Sequence, residues 1–176
     1  RHSSKPTAYF PLAIDNTKFN LVNPIERRNS YSIIALYSEE KRKGTSYLLA
    51  ALENLKKEFP LLAVTLFGVY KRPSSLPAWI NYYQKPSNLA DLYNKHAIFL
   101  SASLGEGWAL PPAEAMACGC AVVCTNIGGH ADYAIENKTA LLTKAGDSAS
   151  IQTAISTLLN NDELRISLAK EGNKYL

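Results

Sequence analysis

Short apolar runs alternate with segments of helical periodicity along most of the chain, and this alternation limits the fold more than any other feature. Tyr31-Ser-Ile-Ile-Ala-Leu-Tyr37 reads as a strand. Leu48, Leu52, Leu55 and Phe59 then share one helical stripe, which predicts a helix with Thr45 as its N-cap. Residues 61–68, 79–84, 97–103, 120–125 and 140–143 read as further strands, and residues 89–96 and 112–118 as short helices between them. The second of these has Pro112 in its first turn and Gly119 just past its end. Ile151, Ala154, Ile155, Leu158 and Leu159 form a later helical stripe behind Asp147 or Ser148 as cap; Asn160-Asn161 breaks it, and residues 163–176 resume a helix. Apolar strands separated by helices require a parallel sheet covered on both faces. The expected class is α/β, a Rossmann-like doubly wound parallel sheet, and 176 residues suit about one such domain.

Residues 1–30 differ, being rich in Pro, Asn and Ser with one apolar stretch at residues 8–14, and read as a lead-in or linker. Arg1-His2-Ser3-Ser4-Lys5 has no apolar h-region behind it, so no signal peptide is expected. No apolar run approaches the ~18–20 residues of a membrane helix. Nineteen Lys and Arg against fifteen Asp and Glu leave a charge of +4, gathered in Arg27-Arg28, Lys41-Arg42-Lys43 and Lys71-Arg72. These clusters are too short for a nucleic-acid arm and suit small anions or solvated surface. Cys118, Cys120 and Cys124 read as buried small hydrophobes in a reducing compartment. No second Cys/His pair exists to complete a zinc site.

Doubly wound sheets bind ligands beyond the carboxyl ends of their strands. The usual phosphate loops are missing there: Gly105-Glu106-Gly107 lacks a third Gly, and neither a Walker A motif nor an Asp-x-Asp metal pair occurs. Instead, residues 103–119 run from a strand end through a turn into a helix, with Glu106 and Glu114 separated by seven residues. That helix lacks a Ser, Thr, Asp or Asn cap, so backbone N–H groups of Gly107, Trp108, Ala109 and Leu110 are left to bind an anion or hydroxyl. Glu114 is placed to accept two hydroxyls of a diol. The plainer alternative is a first-turn Glu favoured by the helix dipole, worth ~0.3–1 kcal/mol. Tyr82, Tyr83, Tyr93 and Trp108 read as core aromatics before stacking platforms, His130 as a solvated loop residue, and Lys71-Arg72-Pro73 as charged surface.

Glu106-Gly-Trp-Ala-Leu-Pro-Pro-Ala-Glu114-Ala-Met-Ala-Cys-Gly119 resembles the E-x7-E segment of family-4 retaining glycosyltransferases of GT-B fold. Ala121-Val-Val and Gly128-Gly129 continue the resemblance, Leu89 to Ser101 resembles the helix and strand before the motif, and Lys43-Gly44 resembles a phosphate-binding Lys-Gly. Pro11-Leu-Ala-Ile-Asp15-Asn-Thr-Lys-Phe19 resembles the opening of the carboxyl-terminal half of such enzymes. The resemblance implies one half of a GT-B fold, with a lead-in at residues 1–25, a nucleotide-sugar donor-binding domain at 26–160 and a C-terminal helix at 161–176. It implies that Glu114 holds the ribose, Glu106 sits by the donor sugar as the catalytic residue, Gly107, Trp108, Ala109 and Leu110 offer backbone N–H groups, and Lys43 neutralises the diphosphate.

Three positions depart from the family pattern. Leu36-Tyr37-Ser38 stands where relatives have Gly-Arg, so Arg42 is the expected replacement for a missing phosphate ligand. Ala109 replaces a frequent Gly, and Asp132 a usual Glu. The implied enzyme is a metal-independent, cytoplasmic hexosyltransferase of polysaccharide biosynthesis, without a cofactor, peripheral at the inner membrane face when full length. It uses a nucleoside-diphosphate sugar, with no nucleic-acid partner, and its glycan or lipid-linked acceptor is bound by an amino-terminal domain not found in these residues. Two rival readings are a GT-B nucleotide-sugar epimerase or phosphorylase half, and a non-catalytic module for anionic surfaces or polysaccharide.

Overall fold

Strands β1 (Ser32–Leu36), β2 (Ala63–Gly68), β3 (Ile80–Gln84), β4 (Ile98–Ser101), β5 (Ala121–Thr125) and β6 (Ala140–Thr143) are all parallel, in the order β3-β2-β1-β4-β5-β6. The structure, a computed structural model, describes residues 13–176. Alternate residues of the central strands feed opposite cores, as the two-residue period of a strand dictates. Ile33, Ala35, Ile98, Leu100, Ala121 and Val123 face one core; Ile34, Phe99, Val122 and Cys124 face the other. Full burial of each large apolar side chain is worth about 1.5–3 kcal/mol.

Helices α1 (Thr45–Glu58) and α4 (Ser148–Asn160) cover the first core; α2 (Leu89–Lys95) and α3 (Leu110–Ala117) cover the second. The Rossmann-like doubly wound expectation holds, and the order of strands reverses between β1 and β4. The final helix, α5 (Asp162–Tyr175), packs Gly172 against Met116, where a Cβ would come within 2.8 Å.

Helix ends account for most differences from the sequence reading. Thr45 is the first helical residue rather than the cap, which is Gly44 in the left-handed region at φ +66°. The Thr45 hydroxyl instead donates to Ser38 O at 2.6 Å and accepts from Ser38 N–H at 3.3 Å, closing the β1–α1 loop. Helix α3 begins at Leu110, ahead of Pro111 and Pro112, because proline is tolerated in a first turn whose N–H groups have no helical acceptor. Asp147 caps α4 by accepting from Ser150 N–H, and Asn161 caps α5 by accepting from Leu164 N–H.

The described part of the segment read as a lead-in is fastened to the domain. Phe19 and Ile25 are buried. So is Arg28, which belongs to no solvated basic cluster: it donates to the carbonyls of Asn23 (3.0 Å), His96 (3.0 Å) and Cys118 (2.6 Å) and to Asn94 Oδ1 (3.3 Å). Gly119 makes room for this strut, at φ +81° with Arg28 Nη2 3.1 Å from where a Cβ would stand. Residues 1–12, including most of the apolar stretch 8–14, lie outside the described residues.

Candidate active site

The loops after β1 and β4 meet at the reversal of strand order, where doubly wound sheets form a crevice. The loop after β1 contains a 3₁₀ turn, Lys41–Lys43, followed by Gly44. A Cβ on Gly44 would lie 1.9 Å from Ala102 O, so only glycine lets this loop press against the end of β4. Leu104 N–H donates to Arg42 O at 2.7 Å and joins the two loops. Lys43, Ser103, Glu106, Ala109, Pro111 and Pro112 line the resulting cleft, floored by Leu36 and residues 99–102.

Glu106 is the electrostatic centre of this cleft. Its Oε1 accepts from Lys43 Nζ at 2.7 Å and Ser103 Oγ at 2.8 Å, and its Oε2 accepts from Arg42 Nη1 at 2.7 Å. Arg42 also donates to Gly105 O at 2.8 Å. Burial alone would raise the Glu106 carboxyl, but hydrogen bonds from Lys43, Ser103 and Arg42 overcome it and hold the group below the usual carboxylate range. Gly129 fixes the Glu106 backbone from the β5 side, since a Cβ there would lie 2.5 Å from Glu106 O and 2.6 Å from Glu106 Cβ.

Glu114 has the opposite environment. It sits in the second turn of α3, half-buried and outside the lining of the cleft. Its Oε2 accepts from Tyr93 O–H at 3.3 Å. Burial pushes its carboxyl above the usual range, partly offset by Tyr93 and by the charge of Lys18. Tyr93 is fully buried among Phe19, Phe67 and Phe99, so a core ring aims Glu114.

The turn between the glutamates keeps most of its expected donors. Among the described residues, the N–H groups of Gly107, Trp108 and Leu110 have no hydrogen-bond acceptor. Ala109 departs from expectation: its N–H donates to Gly129 O at 3.2 Å and is not free for a ligand. Its φ of −87° shows that the position does not require glycine. A Cβ added at Gly105, Gly107 or Gly128 would meet only open space.

The family profile described as Glycosyl transferases group 1 matches residues 23–175. The chain belongs to the group 1 glycosyl transferases. It is 28% identical over 167 residues, 94% of this chain, to the capsular polysaccharide biosynthesis glycosyltransferase CapM of Staphylococcus aureus. It is 29% identical over 141 residues, 76% of this chain, to an uncharacterised glycosyltransferase of Methanocaldococcus jannaschii. The chain spans 43% and 40% of those relatives' lengths, respectively. Among solved structures, the C-terminal domain of the group 1 protein LpcC of Francisella tularensis superposes with TM-score 0.78 at 22% identity, covering 93% of this chain and 96% of that one. Anabaena HepE, solved in complex with UDP-glucose, superposes with TM-score 0.75 at 15% identity, covering 92% of this chain and 50% of that one.

Other candidate residues of this glycosyl transferase domain take structural places in the fold. The Trp108 indole donates to Asp132 Oδ2 at 2.8 Å and packs edge-on against Tyr133, so its ring is structural. Tyr82 packs on Tyr37 and donates to Tyr70 O, whereas Tyr83 is exposed. Arg72 braces the β2–β3 loop through the carbonyls of Leu76, Pro77 and Ile80. His130 is not solvated: it is 1% exposed, and its Nδ1–H donates to Thr125 O at 2.7 Å. All three cysteines are free and buried.

Sequence reasoning missed Ser103 and Tyr93 as partners of the glutamates. Ser103 was legible as a hydroxyl three residues before Glu106. Tyr93 was not, because α2 brings it to Glu114 from 21 positions away. Among the described residues, no three His, Cys, Asp or Glu side chains gather as a metal-binding group, and no helix is long and apolar enough to cross a membrane.

Proposed function

We propose that this chain is the donor-binding, carboxyl-terminal half of a two-domain, family-4 retaining glycosyltransferase that moves a glycosyl group from a nucleoside-diphosphate sugar to a glycan or lipid-linked acceptor. The convergence of Lys43, Arg42 and Glu106 at the switch point carries the reading. Two cations at the carboxyl ends of β1 and β4 suit a diphosphate. Glu114, whose carboxylate has a tyrosine hydroxyl and no ion pair among the described residues, suits the paired hydroxyls of a ribose. The complex of HepE with UDP-glucose and the name of CapM support a nucleotide-sugar donor and a polysaccharide setting.

In this mechanism Glu114 orients the nucleoside. The N–H groups of Gly107, Trp108 and Leu110 bind sugar hydroxyls or diphosphate oxygens. Lys43 and Arg42 stabilise the negative charge that grows on the departing diphosphate, replacing a metal ion. Glu106, whose carboxyl is held below the usual carboxylate range, is a poor nucleophile. It stabilises the developing positive charge on the sugar while leaving group and acceptor share one face. The acceptor binds to the part of the protein that relatives have beyond this length. The full enzyme works in the cytoplasm, at the inner face of the membrane.

Replacing Glu114 by Ala removes a charged hydrogen-bond acceptor, worth ~1.5–3 kcal/mol. Titration calorimetry with nucleoside diphosphates should therefore show binding weakened by about 10–150-fold. Equal affinity in the variant would remove the ribose role. An epimerase or phosphorylase half would show donor-only or phosphate-dependent turnover, and a surface-binding module would be indifferent to both glutamates; family membership favours transfer.

A further inference from the structure

Glu106 already has its full set of partners, and they include both cations the proposed function assigns to the diphosphate. Lys43 and Arg42 each reach it at 2.7 Å, on separate carboxylate oxygens. The Glu106 side chain is 7% exposed, while those of Lys43 and Arg42 are 19% and 50% exposed. A diphosphate drawing on these cations must enter beside a carboxylate of the same sign, and like charges at that range repel.

We infer that Glu106 is a built-in counter-anion: it holds Lys43 and Arg42 in the empty site, yields them to an arriving donor, and reclaims them once the sugar has gone, so that the nucleoside diphosphate is expelled. This inference rests on the donor-site reading above. The backbones of the two loops are fixed, by Gly44 against Ala102, by Leu104 N–H on Arg42 O and by Gly129 against Glu106. The exchange is therefore confined to side chains. Arg42 is the half-exposed partner and changes sides first. Lys43 follows, and Ser103, on the same oxygen as Lys43, keeps the carboxylate in place.

The attached sugar makes the exchange selective. With a donor bound, hydroxyls of the sugar replace the cations as partners of Glu106. With the bare diphosphate, nothing replaces them, and the carboxylate competes for Arg42 and Lys43. Glu106 thus lowers affinity for the product more than for the donor.

The test is calorimetric titration of the parent and of Glu106→Gln with UDP, GDP and ADP, each variant checked for folding by its melting curve. Gln keeps the shape and an acceptor for Ser103 but removes the charge. The variant should bind the preferred nucleoside diphosphate about tenfold or more tightly than the parent, with the gain shrinking as salt rises and in an Arg42→Ala background. Glu106→Asp keeps the charge with a shorter reach and should fall between the two. Equal or weaker binding by folded Gln and Asp variants would overturn the counter-anion role, while leaving a parent that binds through Glu114. If the parent binds none of the three, the donor-site reading itself falls, and this inference with it.

Discussion

Glu106 and Glu114 share a motif but have opposite environments, and their neighbours rather than their spacing account for it. One is surrounded by two cations and a hydroxyl; the other faces a buried phenol. The residues of the motif were legible in the sequence, and the resemblance gave Lys43 and Arg42 as well. Their mutual pairing was not, because it joins positions 63 and 64 residues apart. The histidines yield a prediction at this scale. His96 donates from Nδ1 to Leu92 O, its Nε2 shares a hydrogen bond with Thr65 Oγ1, and burial disfavours its charged form. Burial lowers the values of both His96 and His130. The unfolded chain takes up protons near about pH 6.5, where the folded chain does not, so the unfolded state binds more protons in that window. Stability should be full above that pH and fall as the pH drops through the depressed folded values. Melting curves from pH 7.5 to 5 should show this decline, with a shallower slope in His96→Gln; a flat profile in the parent would contradict it.

Elements were read with the right type and order because strands and helices differ in period, and the central strands feed two apolar cores. Their ends were harder to read. Thr45 looked like a cap but serves the preceding loop, and Leu110 joined α3 because prolines need no N–H acceptor in a first turn. The two glycines that matter most to the site also differ in a way composition hides. Gly44 combines a positive φ with backbone 1.9 Å from where a Cβ would stand, while Gly107 has neither. A Gly44→Ala variant should lose about 1–3 kcal/mol to backbone strain and a similar amount to overpacking. Gly107→Ala should stay within about 0.5 kcal/mol of the parent. Urea unfolding of the two variants checks both values, and equal losses would mean that the β1–α1 loop does not press on β4 as described.

At the scale of the molecule, a length that suits one domain acquires another meaning beside relatives of which it spans about two fifths. On the proposed reading, this doubly wound sheet, with Lys43, Arg42 and Glu106 gathered at its switch point, binds the donor, and completing transfer falls to the rest of a longer protein. The cleft and its charges lie within the described residues, so donor binding should be measurable on this chain alone. The most direct measurement is the melting temperature of the chain against a panel of UDP-, GDP- and ADP-sugars at millimolar concentration. Ligand at 100 times its dissociation constant stabilises by about 2.7 kcal/mol. The account predicts a rise of several degrees with one nucleotide class, reduced by Glu114→Ala; no shift with any member of the panel would contradict it.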